Sequence, residues 1–183
     1  MEMFDVIKTR KSVRKYLDKS VEPEKLEQIL TAAQLAPSWR NGQCWKFVVV
    51  AQPEKKQALI RCTTVFNQSW LGKEYAIIVA CGNPNQSGSR NEQPYYMVDV
   101  AIAMEHLILA ATALGLGTCW IGGFEENKVK ELLHIPESHR VVAMTSLGYP
   151  AESEGIIGQI TKSVVGSYNR RLLTEIYSMN QWE

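Results

Sequence analysis

The chain has 183 residues, 45% hydrophobic and 21% charged, with a formal net charge of +1. That length suits one domain able to bury a sizeable core, and the proportions are ordinary for a globular protein. The near-even charge excludes a global field that would draw in nucleic acid or an anionic membrane, so an anionic ligand needs a local cluster of donors.

In chain order, Met3 to Lys8 reads as a short helix, and a basic segment from Thr9 to Lys15 follows it. The acidic positions of this N-terminus, Glu2 and Asp5, and its basic ones interrupt any signal-peptide core. Ser20 to Glu24 is a helix start, with Pro23 in the first turn and Glu22 and Glu24 at the positive end of the dipole. Leu26, Ile29, Leu30, Ala33 and Ala36 then keep helical spacing up to Pro37. Pro37 to Gln43 is a polar turn, Phe47 to Ala51 a β-branched strand, and Pro53 to Cys62 a helix. Ala76 to Cys81 is a second strand, and Gly82 to Ser89 is a loop rich in breakers.

Tyr95 to Leu116 is a long apolar helix ended by Gly115-Leu116-Gly117. It contains Asp99, Glu105 and His106, which are expensive at bilayer depth, so it is expected in a core or an interface and not in a membrane. Thr118 to Ile121 is a third strand, Glu125 to Leu133 a helix, and Arg140 to Gly148 a fourth strand. A tail runs from Ala151 to Glu183, with a late helix expected around Arg171 to Ser178. The strands are continuous apolar runs that alternate with helices, a pattern that fits a sheet covered on both faces. The whole of 1–183 is therefore read as a single domain, with 151–183 as its tail.

Cys44, Cys62, Cys81 and Cys119 form no C-x-x-C pair, which argues against zinc; they read as buried thiols. Reduced cysteines and the lack of an export signal point to the cytoplasm. No metal site is expected, and G-x-S-x-G, H-E-x-x-H and P-loop signatures are all missing. His106 reads as a satisfied structural histidine, and His134 and His139 as solvent-facing. With no evident acid, base or nucleophile, an enzyme built on this chain needs a cofactor to carry its chemistry.

Three clusters can hold one. In the first, Arg10, Ser12 and Arg14 share one side of an extended segment, with Lys11 between them. Guanidinium forks suit bidentate phosphate contact, although most short basic runs are merely solvated. In the second, Ser38, Asn41 and Gln43 are hydrogen-bonding groups flanked by Trp39 and Trp45. Such a mixture can wall a planar ligand, or be an ordinary loop with Trp45 in the core. The third, Gly115 to Phe124, is not a dinucleotide fingerprint: Trp120 stands where G-x-G-x-x-G requires glycine, and the segment follows a helix. Gly122-Gly123 at a strand end instead permits close approach to a flat ring.

R-K-S-V-R-K-Y, A-P-S-W-R-N-G-Q-C-W-K-F-V-V-V, A-L-G-L-G-T-C-W-I-G-G-F, L-G-Y-P and R-R-L-L-T-E-I occur in this order along nearly the whole chain. Together they resemble the nitroreductase family of flavoproteins. The resemblance implies an α+β, three-layer sandwich with a mostly antiparallel central sheet between helices. It also implies an intertwined homodimer with FMN at the subunit interface and a tail that embraces the partner. Arg10, Lys11, Ser12 and Arg14 would bind the phosphate and ribityl chain, completed by Arg170 or Arg171. Pro37, Ser38, Trp39 and Asn41, with Gln43, would reach the FMN of the other subunit, and Trp120, Ile121, Gly122 and Gly123 would lie along the isoalloxazine.

The implied activity is ping-pong transfer from NADH or NADPH, through FMN, to a nitroaromatic, quinone or enone. No residue of the chain is assigned as catalytic, because the chemistry sits on the flavin. Other readings on the same fold are reductive dehalogenation, flavin modification, or flavin storage with little turnover. Three features depart from the family pattern. Cys44 replaces a proline and could be redox-active beside a flavin. The tail between Pro150 and Arg170 is long. The segments 64–75 and 83–94 match nothing in the pattern and are expected to shape the substrate pocket.

Overall fold

The computed structural model describes residues 2–151 and 170–182. Its sheet is ordered β1 (Trp45–Val50), β2 (Ala76–Gly82), β6 (Arg140–Gly148) and β5 (Gly117–Ile121), and every neighbouring pair is antiparallel. β2 lies in the interior of the sheet and is buried along its whole length. Alternation along the strand explains why it is apolar throughout. Ile78 and Ala80 face a core with Ile29, Ala33, Met104 and Leu107; Ile77, Val79 and Cys81 face another with Leu59, Ile60 and Val129. Helices α2 (Pro23–Gln34) and α5 (Tyr95–Ala113) thus cover one face, and α3 (Pro53–Arg61) and α6 (Glu126–Leu133) the other. This is the expected three-layer α+β sandwich.

α5 is long and apolar enough to cross a membrane by length and composition alone. Its stripe Val100, Ala103, Met104, Leu107, Ile108 and Ala111 is buried at helical spacing, while Met97 and Val98 in its first turn are exposed. Gly115, at φ 76°, reverses the chain after it, and the Leu116 N–H returns to the Ala111 carbonyl at 2.8 Å. His106 meets the Ala32 carbonyl at 3.3 Å, the structural role expected of it.

Several boundaries differ from those expected of the sequence. α1 covers Met3–Thr9, and a one-turn helix α4 (Val65–Gln68) interrupts the segment after Thr64. The 83–94 loop contains a minimal hairpin, β3 (Ser89–Arg90) and β4 (Gln93–Pro94), turned by Asn91 and Glu92, both with positive φ. The helix expected over Arg171 to Ser178 is only a single 3-10 turn, Leu173–Glu175. A short exposed stretch cannot sustain a longer helix without a face to pack on.

The start of β6 is fixed electrostatically. Glu126 accepts from Nε and Nη2 of Arg140 at 2.8 Å each and from the Val141 N–H at 3.0 Å. The Arg140 hydrogen bond holds the Glu126 carboxyl below its ordinary value of 4.5. A depressed carboxyl pKa contributes stability that is present above the unfolded value and lost as pH falls through the folded one. Glu126→Gln is expected to cost about 1 kcal/mol at neutral pH. In denaturant titrations the gap from the parent protein should narrow as acid protonates the carboxylate of the folded protein; a gap that does not narrow contradicts the assignment.

Candidate functional site

The basic motif lies along the free edge of β5. Ser12 bridges Thr118 in parallel, the Val13 N–H donates to the Thr118 carbonyl at 2.8 Å, and Tyr16 bridges Pro150. The Tyr16 hydroxyl closes this arrangement, 2.6 Å from both the Val13 carbonyl and Ser146 Oγ. Extended backbone sends alternate side chains to opposite sides. Arg14, Ser12 and Arg10 all act on the Cys119 thiol of β5, drawing down a pKa that burial pushes up. All three thus lie in the neighbourhood of Cys119, Arg10 acting also on Glu105 of α5, while Lys11 is exposed. Among the described residues Arg14 Nε is buried without a partner, and its guanidinium lies 5.9 Å from the Trp70 ring centroid. An orphaned buried donor of a permanent cation is the mark of a site shaped for an anion.

At the far end of β5, Trp120 is 43% exposed between buried Cys119 and Ile121. Because the Ile121 side chain is in the core, only its backbone is available to a ligand. A Cβ on Gly122 would meet nothing within 4 Å, so the surface is open there. Gly123 is closed: a Cβ would lie 2.8 Å from the Thr64 side chain, and its carbonyl accepts from the Thr64 N–H and Asn67 Nδ2, each at 3.1 Å. The 64–75 segment is thus pinned beside the strand end, with Phe66 exposed on it. The sequence marked 64–75, with Phe66 and Trp70, as shaping a pocket, but no local pattern ties Thr64 or Asn67 to Gly123 or Trp70 to Arg14.

The polar loop 37–43 precedes β1. Ser38 Oγ accepts the Gln43 N–H at 3.0 Å, and Gln43 Nε2 donates to Asn41 Oδ1 at 3.2 Å. Trp39 stacks on Tyr95 with ring centroids 4.2 Å apart. One face of its indole is therefore taken up by Tyr95, and half-buried Trp45 packs on the core. The Cys44 thiol is pushed up to about 11, first by burial and then by the neighbouring Asp99. A thiol of that pKa is unreactive at neutral pH, so iodoacetamide on the native protein should leave Cys44 unlabelled until denaturant is added. Mass-spectrometric labelling of native Cys44 would revive a redox role.

β1 and β5 are the two edges of the four-stranded sheet, three strand spacings apart. That separation is roughly 14 Å. The first and third clusters meet at the β5 edge, while the second sits at the β1 edge. One chain does not bring all three to one ligand. Arg171 bonds within the tail, its Nη2 2.8 Å from the Glu175 carbonyl. Among the described residues, no group of acidic, histidine or cysteine side chains could hold a metal ion.

The profile of the Nitroreductase family matches residues 7–63 and 55–149. A candidate NADH dehydrogenase/NAD(P)H nitroreductase of Archaeoglobus fulgidus is 38% identical over 159 residues, 84% of this chain and 88% of that protein. The crystal structure of a nitroreductase family protein from Clostridium novyi NT is 41% identical, with a TM-score of 0.80 over 86% of this chain and 90% of that one. An FMN-dependent nitroreductase from Clostridium difficile R20291 is 30% identical, with a TM-score of 0.79 over 98% of this chain and 99% of that one. Motif order, sheet topology and profile agree across the described core: the chain belongs to the nitroreductase family.

Proposed function

We propose that this chain is an FMN-dependent NAD(P)H oxidoreductase that works as a homodimer with two shared sites. The observation that carries the reading is the orphaned Arg14 donor, in a segment with Arg10 and Ser12 that is held against the β5 edge. An FMN phosphate carries roughly −1.5 to −2 charge near neutral pH. Two guanidinium groups and a hydroxyl are a fitting complement to it, with Lys11 at the rim and Arg170 or Arg171 completing the set. The open backbone at Gly122, with Trp120, Ile121 and Gly123 around it, gives the isoalloxazine a floor.

The separation of the clusters supports a dimer: Pro37, Ser38, Trp39, Asn41 and Gln43 serve the cofactor of the other subunit. The exposed apolar residues Leu172, Leu173, Ile176, Met179 and Trp182 support a tail that embraces the partner. The free cysteines suit a reducing compartment, the cytoplasm.

Bound FMN supplies the redox chemistry, passing electrons from NADH or NADPH to an electron-poor acceptor (a nitroaromatic, quinone or enone) in ping-pong fashion. The protein's own residues bind the phosphate, fix the ring's position and place donors where negative charge develops. The test is the visible spectrum of the purified protein before and after anaerobic NADH, then NADPH. A flavin spectrum that bleaches and returns with added quinone is expected. A yellow protein that neither donor bleaches would favour flavin storage, and failure to bind added FMN would overturn the whole reading.

A further inference from the structure

Asp99 is the only carboxylate on the buried stripe of α5, 2% exposed among apolar side chains. A carboxylate in such surroundings persists only where its lone pairs are met. Here three separate segments meet them. The Trp39 N–H donates to Oδ1 at 2.8 Å, the Ser87 hydroxyl to Oδ2 at 2.7 Å, and the Cys44 thiol to Oδ2 at 3.7 Å. The segments are the polar loop before β1, the 83–94 loop, and the residue that leads into β1.

The polar loop needs holding. Arg40, Asn41 and Gln43 have φ of 49°, 57° and 46°, left-handed values that side chains rarely adopt. Each is unfavourable by itself and survives only where its surroundings determine it. The 83–94 loop braces the same turn from outside. A Cβ on Gly88 would come 2.3 Å from Trp39 Nε1, and one on Gly42 2.2 Å from the Gln86 carbonyl. The two loops are therefore interlocked, with Asp99 beneath both.

We propose that Asp99 is a positioning residue: it holds the strained 38–43 loop in the form that meets a cofactor, and couples that loop to the 83–94 segment. The assignment rests on the proposed function, in which loop 38–43 serves the site of the second subunit. Asp99 itself does not touch the cofactor; it acts through the Trp39 peptide.

The test begins with FMN affinity of homodimers. Asp99→Ala should raise the Kd at least about tenfold, the effect of leaving buried donors unmet. Asp99→Asn, which keeps an acceptor oxygen for the Trp39 N–H, should recover most of it. Gly88→Ala should mimic the loss from outside by displacing Trp39, and it takes the place of Asp99→Ala in the mixed dimers if that variant does not accumulate.

Mixed dimers then decide the matter, read as FMN retained per dimer. The first pairs an Arg10→Ala/Arg14→Ala subunit with an Asp99→Ala subunit; the second pairs a subunit carrying all three changes with an unchanged one. Positioning across the interface predicts one FMN in the first and none in the second, because the first puts both defects on one shared site. The reverse pattern would keep Asp99 as a positioning residue but place its loop on its own subunit's cofactor, sinking the shared-site reading. One FMN in both, or no rescue by Asp99→Asn, would overturn the proposal.

Discussion

Arg10→Ala/Arg14→Ala is expected to purify with little or no flavin and to bind added FMN roughly 100-fold to 10,000-fold more weakly than the parent. Each hydrogen bond from a guanidinium to a phosphate contributes about 1.5–3 kcal/mol, and two such groups are removed. The fold should not suffer in proportion. Arg14 Nε has no partner among the described residues, so truncating it abandons no hydrogen bond seen at that atom, only the packing of its stem and guanidinium over Trp70. The cofactor-free variant should therefore unfold within about 1 kcal/mol of the cofactor-free parent. Lys11→Ala is the internal comparison: an exposed ammonium should contribute only a few fold. Isothermal titration with FMN and with riboflavin, which lacks the phosphate, completes the test. The parent should prefer FMN strongly and the double variant should not. Retention of that preference would move the phosphate elsewhere.

The alternation behind this prediction was legible because it needs only local geometry. Residues 10, 12 and 14 fall on one side wherever the backbone is extended, and the structure extends it against Thr118. Helices α2 and α5 were equally legible, since an apolar stripe at helical spacing is a repeated signal. Strand direction was not. Continuous apolar strands alternating with helices fit a parallel sheet as well as this antiparallel one, and only the resemblance to a family favoured the latter. Asp99 stands between these cases. A lone carboxylate on an apolar helix announces that something must offset its desolvation, but which donors do so depends on loops 37–43 and 83–94 meeting in space. The roles of Thr64, Asn67 and Trp70 were hidden for the same reason. Each acts on a residue distant in sequence, Gly123 or Arg14, through contacts that leave no periodic trace.

Gly117→Val should disable the same phosphate site without touching any residue that binds there. A Cβ at Gly117 would lie 2.8 Å from both Cβ and Cγ2 of Val13, so the basic motif cannot stay paired with β5 once a side chain is present. The first cost is overpacking, about 1–3 kcal/mol of unfolding free energy. The second is functional: if Val13 is pushed outward, its N–H leaves the Thr118 carbonyl, and Arg14 and Ser12 move with it. FMN affinity should fall by about tenfold or more, comparable to the roughly 1–3 kcal/mol of displacement. Gly122→Ala is the contrasting change, since its Cβ meets nothing within 4 Å. It should leave the unfolding midpoint of the apoprotein unaltered and act only on what occupies the open ground beside the strand, the cofactor ring or the acceptor. Val13→Ala removes Cγ1 and Cγ2 but leaves Cβ, so the pair Gly117→Val/Val13→Ala ought to regain part of the stability and of the flavin lost in Gly117→Val alone. Such coupling between contacting sites is what a double-mutant cycle detects. If the second substitution restores stability but not FMN binding, then strand pairing and phosphate recognition are separate properties, and the alternation of residues 10, 12 and 14 is not what builds the site.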